Sequence, residues 1–263
     1  MLSPEGERFT SGEIKKAIGK IGLGKVTVLT GSGISVSSGI MPFRGKGGLW
    51  EKYNPEEVAH IENFKRNPRY SWTMLKEMVE VVDKALPNPA HISLAKMEAG
   101  GFVQGVITQN IDGLHQKAGS KTVIEFHGNT SRLSCLGCAA RYPAREIDLN
   151  ILPPYCPRCK GLLKPDAVFF GEPIPQAALW QAQMNAQQCR VMLIIGTSGV
   201  VEPVASFPLV AKGNGAYIIE INPEPSFLTS RATDLFLQGK AEEFLPAILD
   251  GLPRAQAGDA YQS

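Results

Sequence analysis

Lys25-Val-Thr-Val-Leu-Thr30-Gly31-Ser32-Gly33 is where the fold of this chain is decided. An aliphatic and β-branched run feeds a turn made of glycine and serine. Valine and threonine suit a pleated, buried strand, and small residues let the backbone turn sharply. Three later stretches repeat the form. Residues 102–107 end in Thr108-Gln109-Asn110, residues 191–195 in Gly196-Thr197-Ser198, and residues 216–221 in Asn222-Pro223-Glu224. Helical patterns at residues 91–99, 176–189 and 203–212 separate them. Strands alternating with helices predict an α/β chain, a parallel sheet with helices on both faces. In such sheets ligands bind beyond the carboxyl ends of the strands, which is where these polar tripeptides collect.

Gly31-Ser-Gly33 after a strand also predicts a phosphate site, because small residues let backbone N–H groups approach a pyrophosphate at a helix N-terminus. The ordinary dinucleotide fingerprint is incomplete here. Its third glycine is missing, the next being Gly39. The acid expected about 20 residues on, for a ribose, is missing too. No Gly-Lys-Ser/Thr follows, which excludes a P-loop.

Two segments break the rhythm. Residues 45–85 contain Trp50, Trp72 and amphipathic turns, and read as a helical insertion. Residues 131–164 hold Cys135-Leu-Gly-Cys138 and, after seventeen residues, Cys156-Pro-Arg-Cys159. Two such pairs let four thiolates converge on a tetrahedral Zn2+. A disulfide-linked loop or a redox pair is the other reading, though nothing points to an oxidising compartment. No His or Asp stands where it would leave an open ligand position, so a structural metal is expected. Gly137 is expected to tighten the first knuckle and Pro157 to stiffen the second. Cys189, left over before an apolar strand, is expected to be a buried thiol. The predicted division is a larger domain from residues 1–44, 86–130 and 165–263, with 45–85 and 131–164 forming a smaller lobe. In that lobe zinc would replace a core the cysteine segment is too short to build.

The chain has 263 residues, 43% of them apolar, and a net charge of +2. That supports a core and leaves no electrostatic footprint for nucleic acid. Its first 24 residues are mixed and polar, with Glu5, Glu7 and Glu13 among lysines, and do not read as a signal peptide. No apolar run reaches membrane-spanning length. Residues 254–263 are small and polar and are expected to fray. A monomeric cytoplasmic protein with reduced thiols is the expectation.

Gly31-Ser-Gly-Ile-Ser-Val-Ser-Ser-Gly-Ile40, Phe43-Arg44-Gly45, Thr108-Gln-Asn-Ile-Asp-Gly-Leu-His-Gln-Lys-Ala-Gly119 and Glu125-Phe-His-Gly-Asn129 occur in that order. The four cysteines, Val168-Phe-Phe-Gly-Glu172, Gly196-Thr-Ser198 and Ile221-Asn-Pro-Glu224 follow. Together they closely resemble the sirtuin family, over residues 20–250 or so. The resemblance implies a Rossmann-like NAD-binding domain beside a zinc-ribbon lobe, and an NAD-dependent protein-lysine deacylase. In that reaction the nicotinamide–ribose bond breaks and the acyl group passes from lysine to ADP-ribose. Nicotinamide, O-acyl-ADP-ribose and free lysine are released. NAD is the co-substrate and Zn2+ is structural.

The same resemblance assigns roles. His127 is the catalytic base, although an isolated His is more commonly a core residue; activating a hydroxyl near neutral pH suits an imidazole. Asn110 holds a ribose hydroxyl or a water, and Gln109 binds ribose. Asp112 shapes the nicotinamide pocket, and Ile111 packs under the amide. Arg44 binds pyrophosphate while Phe43 shields the anomeric carbon, with Ser38 and Trp50 completing that side. The loop after Phe43, with Gly45, Gly47 and Gly48, is expected to move. Gly196, Thr197 and Ser198 contact phosphate and ribose. Asn222, with Pro223 and Glu224, matches an adenosine-ribose ligand in place of the missing acid, and Lys240-Ala241 resembles the adenine turn. An acylated-lysine peptide would add as a β-strand between Val168-Phe169-Phe170-Gly171-Glu172 and Gly199-Val200-Val201. Val168 and Phe169 would line the lysine tunnel, or serve as plain core. His115 is expected to be structural.

Departures matter as well. Ser32 stands where many sirtuins have Ala, and Met41-Pro42 where they have Pro-Asp, so altered nicotinamide affinity is expected. Family members that remove succinyl or malonyl groups carry Tyr-x-x-Arg; the corresponding Trp72-Thr-Met-Leu-Lys-Glu-Met78 does not. Met74, Leu75 and Met78 would form an apolar wall favouring neutral acyl groups, though the same spacing also fits a helix core. Protein mono-ADP-ribosyltransfer is the rival activity. A non-enzymatic NAD sensor or zinc-ribbon binding module would need neither Asn110, Asp112 nor His127.

Overall fold

The runs read as strands lie side by side in one parallel sheet. The computed structural model describes residues 11–44 and 47–253. Its strands are β1 (Val26–Thr30), β2 (Val103–Thr108), β3 (Val123–Glu125), β4 (Gly128–Cys135), β5 (Arg141–Pro143), β6 (Leu163–Ala167), β7 (Val191–Ile195), β8 (Tyr217–Asn222) and β9 (Leu235–Gln238). The main sheet has the order β3-β2-β1-β7-β8-β9, and each neighbouring pair is parallel. The chain therefore leaves β1 toward one edge and returns at β7 toward the other. A crevice opens between two neighbouring strand ends wherever the order reverses in this way.

β1 and β7 are buried at every position, as strands covered by helices on both faces must be. Alternate residues serve the two faces. Val28 joins Ile21, Leu94, Leu193, Phe244 and Ile248 in one core, beneath helices Ser11–Ile21, Pro89–Ala99 and Ala241–Gly251. Leu29 joins Ile107, Ala182, Ile194 and Phe207 in the other, beneath Gln176–Gln188 and Phe207–Gly213.

The sequence pattern misses β3 and β9, which have only three and four residues. It also misses helices Ser11–Ile21 and Ala241–Gly251, the second with Pro246 inside it. The helix expected from residue 203 begins as a 3-10 turn at Val204–Ser206, and the one expected from residue 91 starts at Pro89, where the Asn88 side chain caps it.

The smaller lobe combines helices Leu49–Lys52, Pro55–Val58, Ile61–Arg66 and Pro68–Lys84 with the antiparallel sheet β5-β4-β6. One apolar core joins the two: Phe64, Trp72 and Leu75 from the helices meet Leu133, Cys135, Cys156 and Leu163. The Trp72 indole donates to the Leu163 carbonyl at 3.0 Å. The cysteine segment thus borrows a core from the helical insertion, which the expectation of zinc in place of a core did not foresee.

No helix among the described residues is long and apolar enough to cross a membrane. Glu5, Glu7, Gly45 and residues 254–263 lie outside the described residues.

Candidate functional site

The ends of β1 and β7 meet through glycine. Gly31 N–H donates to Ile195 O at 3.0 Å and Gly33 N–H to Gly196 O at 2.9 Å. A Cβ on Gly33 would stand 2.6 Å from the Gly196 Cα, and one on Gly31 2.7 Å from the Gly196 oxygen. These residues are small so that two backbones can touch. The N–H groups of Gly31 and Gly33 thus bond to the backbone at the end of β7, and all three residues of the turn line the cavity described next.

A cavity of about 820 Å³ opens at this crevice, between the sheet and the smaller lobe. It is lined by Gly31, Ser32, Gly33, Phe43, Arg44 and Trp50, by Gln109, Asn110, Ile111 and His127, by Gly196, Thr197 and Ser198, and by Asn222, Pro223 and Glu224. Val168, Phe169, Phe170, Gly171, Glu172 and Val201 complete the lobe-facing side. Phe43 stacks on Trp50 with ring centroids 5.3 Å apart, and its N–H reaches Ser32 Oγ at 3.4 Å, which folds this loop over the glycine turn. Among the described residues lining the cavity, Arg44 is the only Lys or Arg.

His127 sits between β3 and β4. Gly128 (φ 79°) begins β4 so close to β6 that a Cβ would lie 2.1 Å from Asp166 O. That approach lets Val168 N–H bond to His127 O at 2.9 Å and holds the histidine beside the segment after β6. His127 Nδ1 is 3.2 Å from Gln109 O. A carbonyl only accepts, so Nδ1 carries the proton and Nε2 is left as a base. Burial lowers the pKa of this ring below its ordinary value, against the opposing effect of the Gln109 bond.

Asn110 has an equally fixed orientation. Its Nδ2 donates to Gly31 O and Ser35 Oγ, both at 3.1 Å, which leaves the carbonyl Oδ1 as its remaining polar atom. Ser35 Oγ donates to Asp112 Oδ2 at 2.8 Å, and Leu114 N–H to Asp112 Oδ1 at 2.9 Å. Burial raises the Asp112 pKa, and these two bonds oppose the rise. His115 is buried behind the strand ends, its Nε2 3.0 Å from Thr30 Oγ1. Asn129 faces away: its amide donates to Glu125 Oε1 at 2.5 Å and its oxygen accepts from Ser131 N–H at 2.8 Å.

The end of β8 carries a third fixed amide. Asn222 Nδ2 donates to Thr197 O at 3.1 Å and to Glu220 Oε1 at 2.9 Å. Thr197 Oγ1 in turn accepts from Gln109 Nε2 at 2.9 Å, which ties the ends of β2 and β7 together.

The four cysteines converge as their spacing predicts. Sγ atoms of Cys135 and Cys159 are 3.4 Å apart, those of Cys138 and Cys156 3.8 Å, and all four lie within 4.8 Å of one another. Tetrahedral zinc with Zn–S bonds of about 2.3 Å needs sulfurs roughly 3.8 Å apart. The donor set therefore fits one structural Zn2+, and none of the five cysteines forms a disulfide. Gly137 N–H donates to Cys135 Sγ at 3.3 Å inside the first knuckle, and the residues that turn left-handed are Ala139 (φ 56°) and Lys160 (φ 60°), one after each pair. Cys189 is buried, and burial pushes its thiol up to about 11.

Comparison with known proteins decides the family. The Sir2 family model matches residues 31–203. The chain belongs to the Sir2 family. It is 49% identical over 232 residues to NAD-dependent protein deacylase 2 of Pyrobaculum aerophilum, covering 86% of this chain and 90% of that one. It is 46% identical over 248 residues to the NAD-dependent protein deacylase of Pyrococcus furiosus, covering 92% and 98%. Among solved structures, a Sir2 homolog–NAD complex matches with a TM-score of 0.83 at 39% identity, covering 90% of this chain and 92% of that one. A Sir2 protein bound to a myristoylated histone peptide matches with a TM-score of 0.77 at 40% identity, covering 92% and 97%.

Within this Sir2 fold, most residues expected at the site line one cavity, but several stand elsewhere. Asp112 lines a second cavity of about 120 Å³, shared with Met41, Leu49, Met74, Met78, Val81 and Val82. Ser38 accepts from Asn88 Nδ2 at 3.1 Å, outside both linings. Gly199 and Val200 stand next to the lining residues Ser198 and Val201, and Lys240-Ala241 begins the last helix. Sequence reasoning missed Ser35, which links Asn110 to Asp112, although it stands inside the glycine motif. It also missed Glu202 and Phe227 on the cavity wall, for which the sequence carries no signal.

Proposed function

We infer that this chain is an NAD-dependent protein deacylase that removes neutral acyl groups from lysine side chains. The observation that carries the reading is the tautomer of His127: Nδ1 donates to Gln109 O at 3.2 Å, leaving a neutral Nε2 on a residue that lines the cavity. NAD, when bound, supplies the ribose whose nicotinamide bond breaks and whose hydroxyl receives the acyl group. Around it, His127 takes the proton of that hydroxyl, and Asn110 Oδ1 accepts a hydrogen bond from the hydroxyl or from water. Arg44 meets the pyrophosphate charge. Ser32, Thr197 and Ser198 line the phosphate path, and Asn222 receives the adenosine ribose. Cys135, Cys138, Cys156 and Cys159 hold a structural Zn2+.

The acylated peptide adds as a strand beside Val168–Glu172 and Gly199–Val201. Phe170 already exchanges main-chain bonds with Ala59 and Ile61, Phe169 N–H donates to the Glu172 carboxylate, and the N–H groups of Val168 and Glu172 bond to His127 O and Phe169 O, so the addition on this side uses the main-chain groups these bonds leave over, together with the second segment. Neutral acyl groups are favoured because Met74, Leu75 and Met78 line the main cavity, and Met74 and Met78 continue into the second. Lys52, at that second cavity, is 2.8 Å from Glu77, so it offers no unpaired cation to a succinyl carboxylate.

Incubation of the purified chain with NAD and an acetyl-lysine peptide tests the reading. Equal amounts of nicotinamide and deacylated peptide are expected. ADP-ribose carried on protein instead would favour mono-ADP-ribosyltransfer, and absence of NAD loss would end the enzymatic reading.

A further inference from the structure

Glu220 lies inside β8 with no exposure to solvent. Its carboxylate accepts from Asn222 Nδ2 at 2.9 Å, from Thr229 Oγ1 at 2.8 Å and from Thr233 Oγ1 at 2.7 Å. Among the described residues no cation pairs with it. A buried carboxylate persists only where donors satisfy it, and here one donor belongs to a residue that lines the cavity.

The consequence falls on Asn222. Both acceptors of its Nδ2, Glu220 Oε1 and Thr197 O, can only accept, so the amide cannot turn round. Oδ1 is the half left for the cavity. The end of β8 thus presents an acceptor backed by an acid, with Glu224 beside it on the cavity wall. The nearby cations do not offset this. Arg231 is held over the Phe227 ring at 3.5 Å and donates to Phe227 O, and neither it nor Lys240 lines the cavity.

We propose that Glu220 sets dinucleotide choice: with Thr197 O it holds Asn222 as an acceptor, and it places a buried acid behind that acceptor, so that the site takes the ribose diol of NAD and rejects the 2′-phosphate of NADP. A diol brings O–H donors to Oδ1. A phosphate monoester brings a charge of about −1.5 to −2 and acceptor oxygens, which meet an acceptor and two acids. In the ordinary fingerprint an acid touches the ribose directly. Here the acid stands two residues back and acts through an amide. Glu220 is therefore a positioning residue. The inference rests on the reading that the adenosine ribose lies at the end of β8.

The test measures kcat and KM with NAD and with NADP for the wild type, Glu220→Gln and Asn222→Ala. The wild type is expected to use NADP at least about a hundredfold less efficiently. In E220Q the new oxygen can still accept from Asn222 while the charge is gone, and the NAD:NADP ratio should fall about tenfold or more, through KM for NADP. In N222A the KM for NAD should rise about fivefold or more, as one buried hydrogen bond is lost. An unchanged KM for NAD in N222A would sink the ribose placement. With that KM raised, equal use of both dinucleotides by the wild type would overturn the role of Glu220. So would an E220Q variant that loses both activities by one factor. The wild-type comparison decides even where E220Q fails to fold.

Discussion

His127 Nδ1 and the Gln109 carbonyl oxygen are 3.2 Å apart, and the direction of that bond sets the acid–base chemistry of the site. Only the neutral ring, with its proton on Nδ1, can take another at Nε2. Burial holds the His127 pKa below 6.5. Activity should therefore be present above that pKa and be lost as pH falls through it. We expect the acidic limb of the kcat/KM profile to have its midpoint below pH 6.5, read from rates between about pH 4.5 and 8.5. A midpoint above pH 6.5 would contradict a buried neutral base.

Removal of the ring tests the same group directly. His127→Ala should lower kcat for acyl-lysine turnover roughly 10²- to 10⁴-fold, the usual worth of a positioned base. The neighbouring backbone bonds, Val168 N–H to His127 O among them, involve no side-chain atom of residue 127, so the melting curve should show a folded protein. Retention of full turnover would remove His127 from the mechanism.

A second pair of histidines bears on stability. The His91 and His115 rings are 4.9 Å apart in the core. Burial lowers His91 to about 4, and burial followed by the neighbouring His91 lowers His115 to about 3. Below pH 6.5 the unfolded chain protonates both rings while the folded chain keeps them neutral. The unfolded state then binds more protons, so stability falls with acid from about pH 6.5 toward the folded values. Each ring contributes a slope of up to about 1.4 kcal/mol per pH unit. Urea midpoints at pH 7, 6 and 5 should decline, and His115→Gln should decline less steeply. A midpoint independent of pH would mean that the pair is not buried neutral.

The parts legible in the sequence were those written in consecutive residues. β1, β2, β7 and β8 appeared as apolar runs because nearly every position is buried, and the residues just after them became the cavity wall. The cysteine spacing named its own geometry. What escaped depends on distant partners. Glu220 looks out of place in an apolar strand until Thr229 and Thr233 fold back over it. The bonds from Gly31 and Gly33 N–H to Ile195 O and Gly196 O form only because β7 arrives beside β1. Strands β3 and β9 are too short to show a period, and the shared core of the smaller lobe joins Trp72 to Leu163 across 91 residues.

The proposed acyl preference can be tested at Met78, which lines both cavities. Replacing it with phenylalanine would add bulk where the two cavities share a wall, without changing charge. Met78→Phe should lower kcat/KM for a myristoyl-lysine peptide about tenfold or more relative to acetyl-lysine, since several buried methylenes lose their place. Wild type should act on acetyl and longer aliphatic groups and only weakly on succinyl. Competing peptides of each kind, followed by mass spectrometry, measure the ratios. Equal loss across all chain lengths would show that long chains do not reach Met78.

Zinc and apolar packing divide the work in the smaller lobe, and they can be separated. Trp72 is fully buried and bonded to Leu163 O, the residue paired with Cys135 between β4 and β6. Losing the metal frees two knuckles whose turns depend on Ala139 and Lys160 in left-handed conformations. Cys138→Ser should abolish the one bound Zn2+, red-shift the tryptophan emission of a chain carrying Trp50→Phe and Trp180→Phe so that Trp72 alone reports, and lower Tm by more than about 5 °C, the shift that roughly 2 kcal/mol produces in a chain of this size. Chelation of that chain with Cys138 intact should reproduce the emission change. A zinc-free variant with unaltered emission and Tm would mean that Phe64, Trp72, Leu133 and Leu163 hold the lobe without metal.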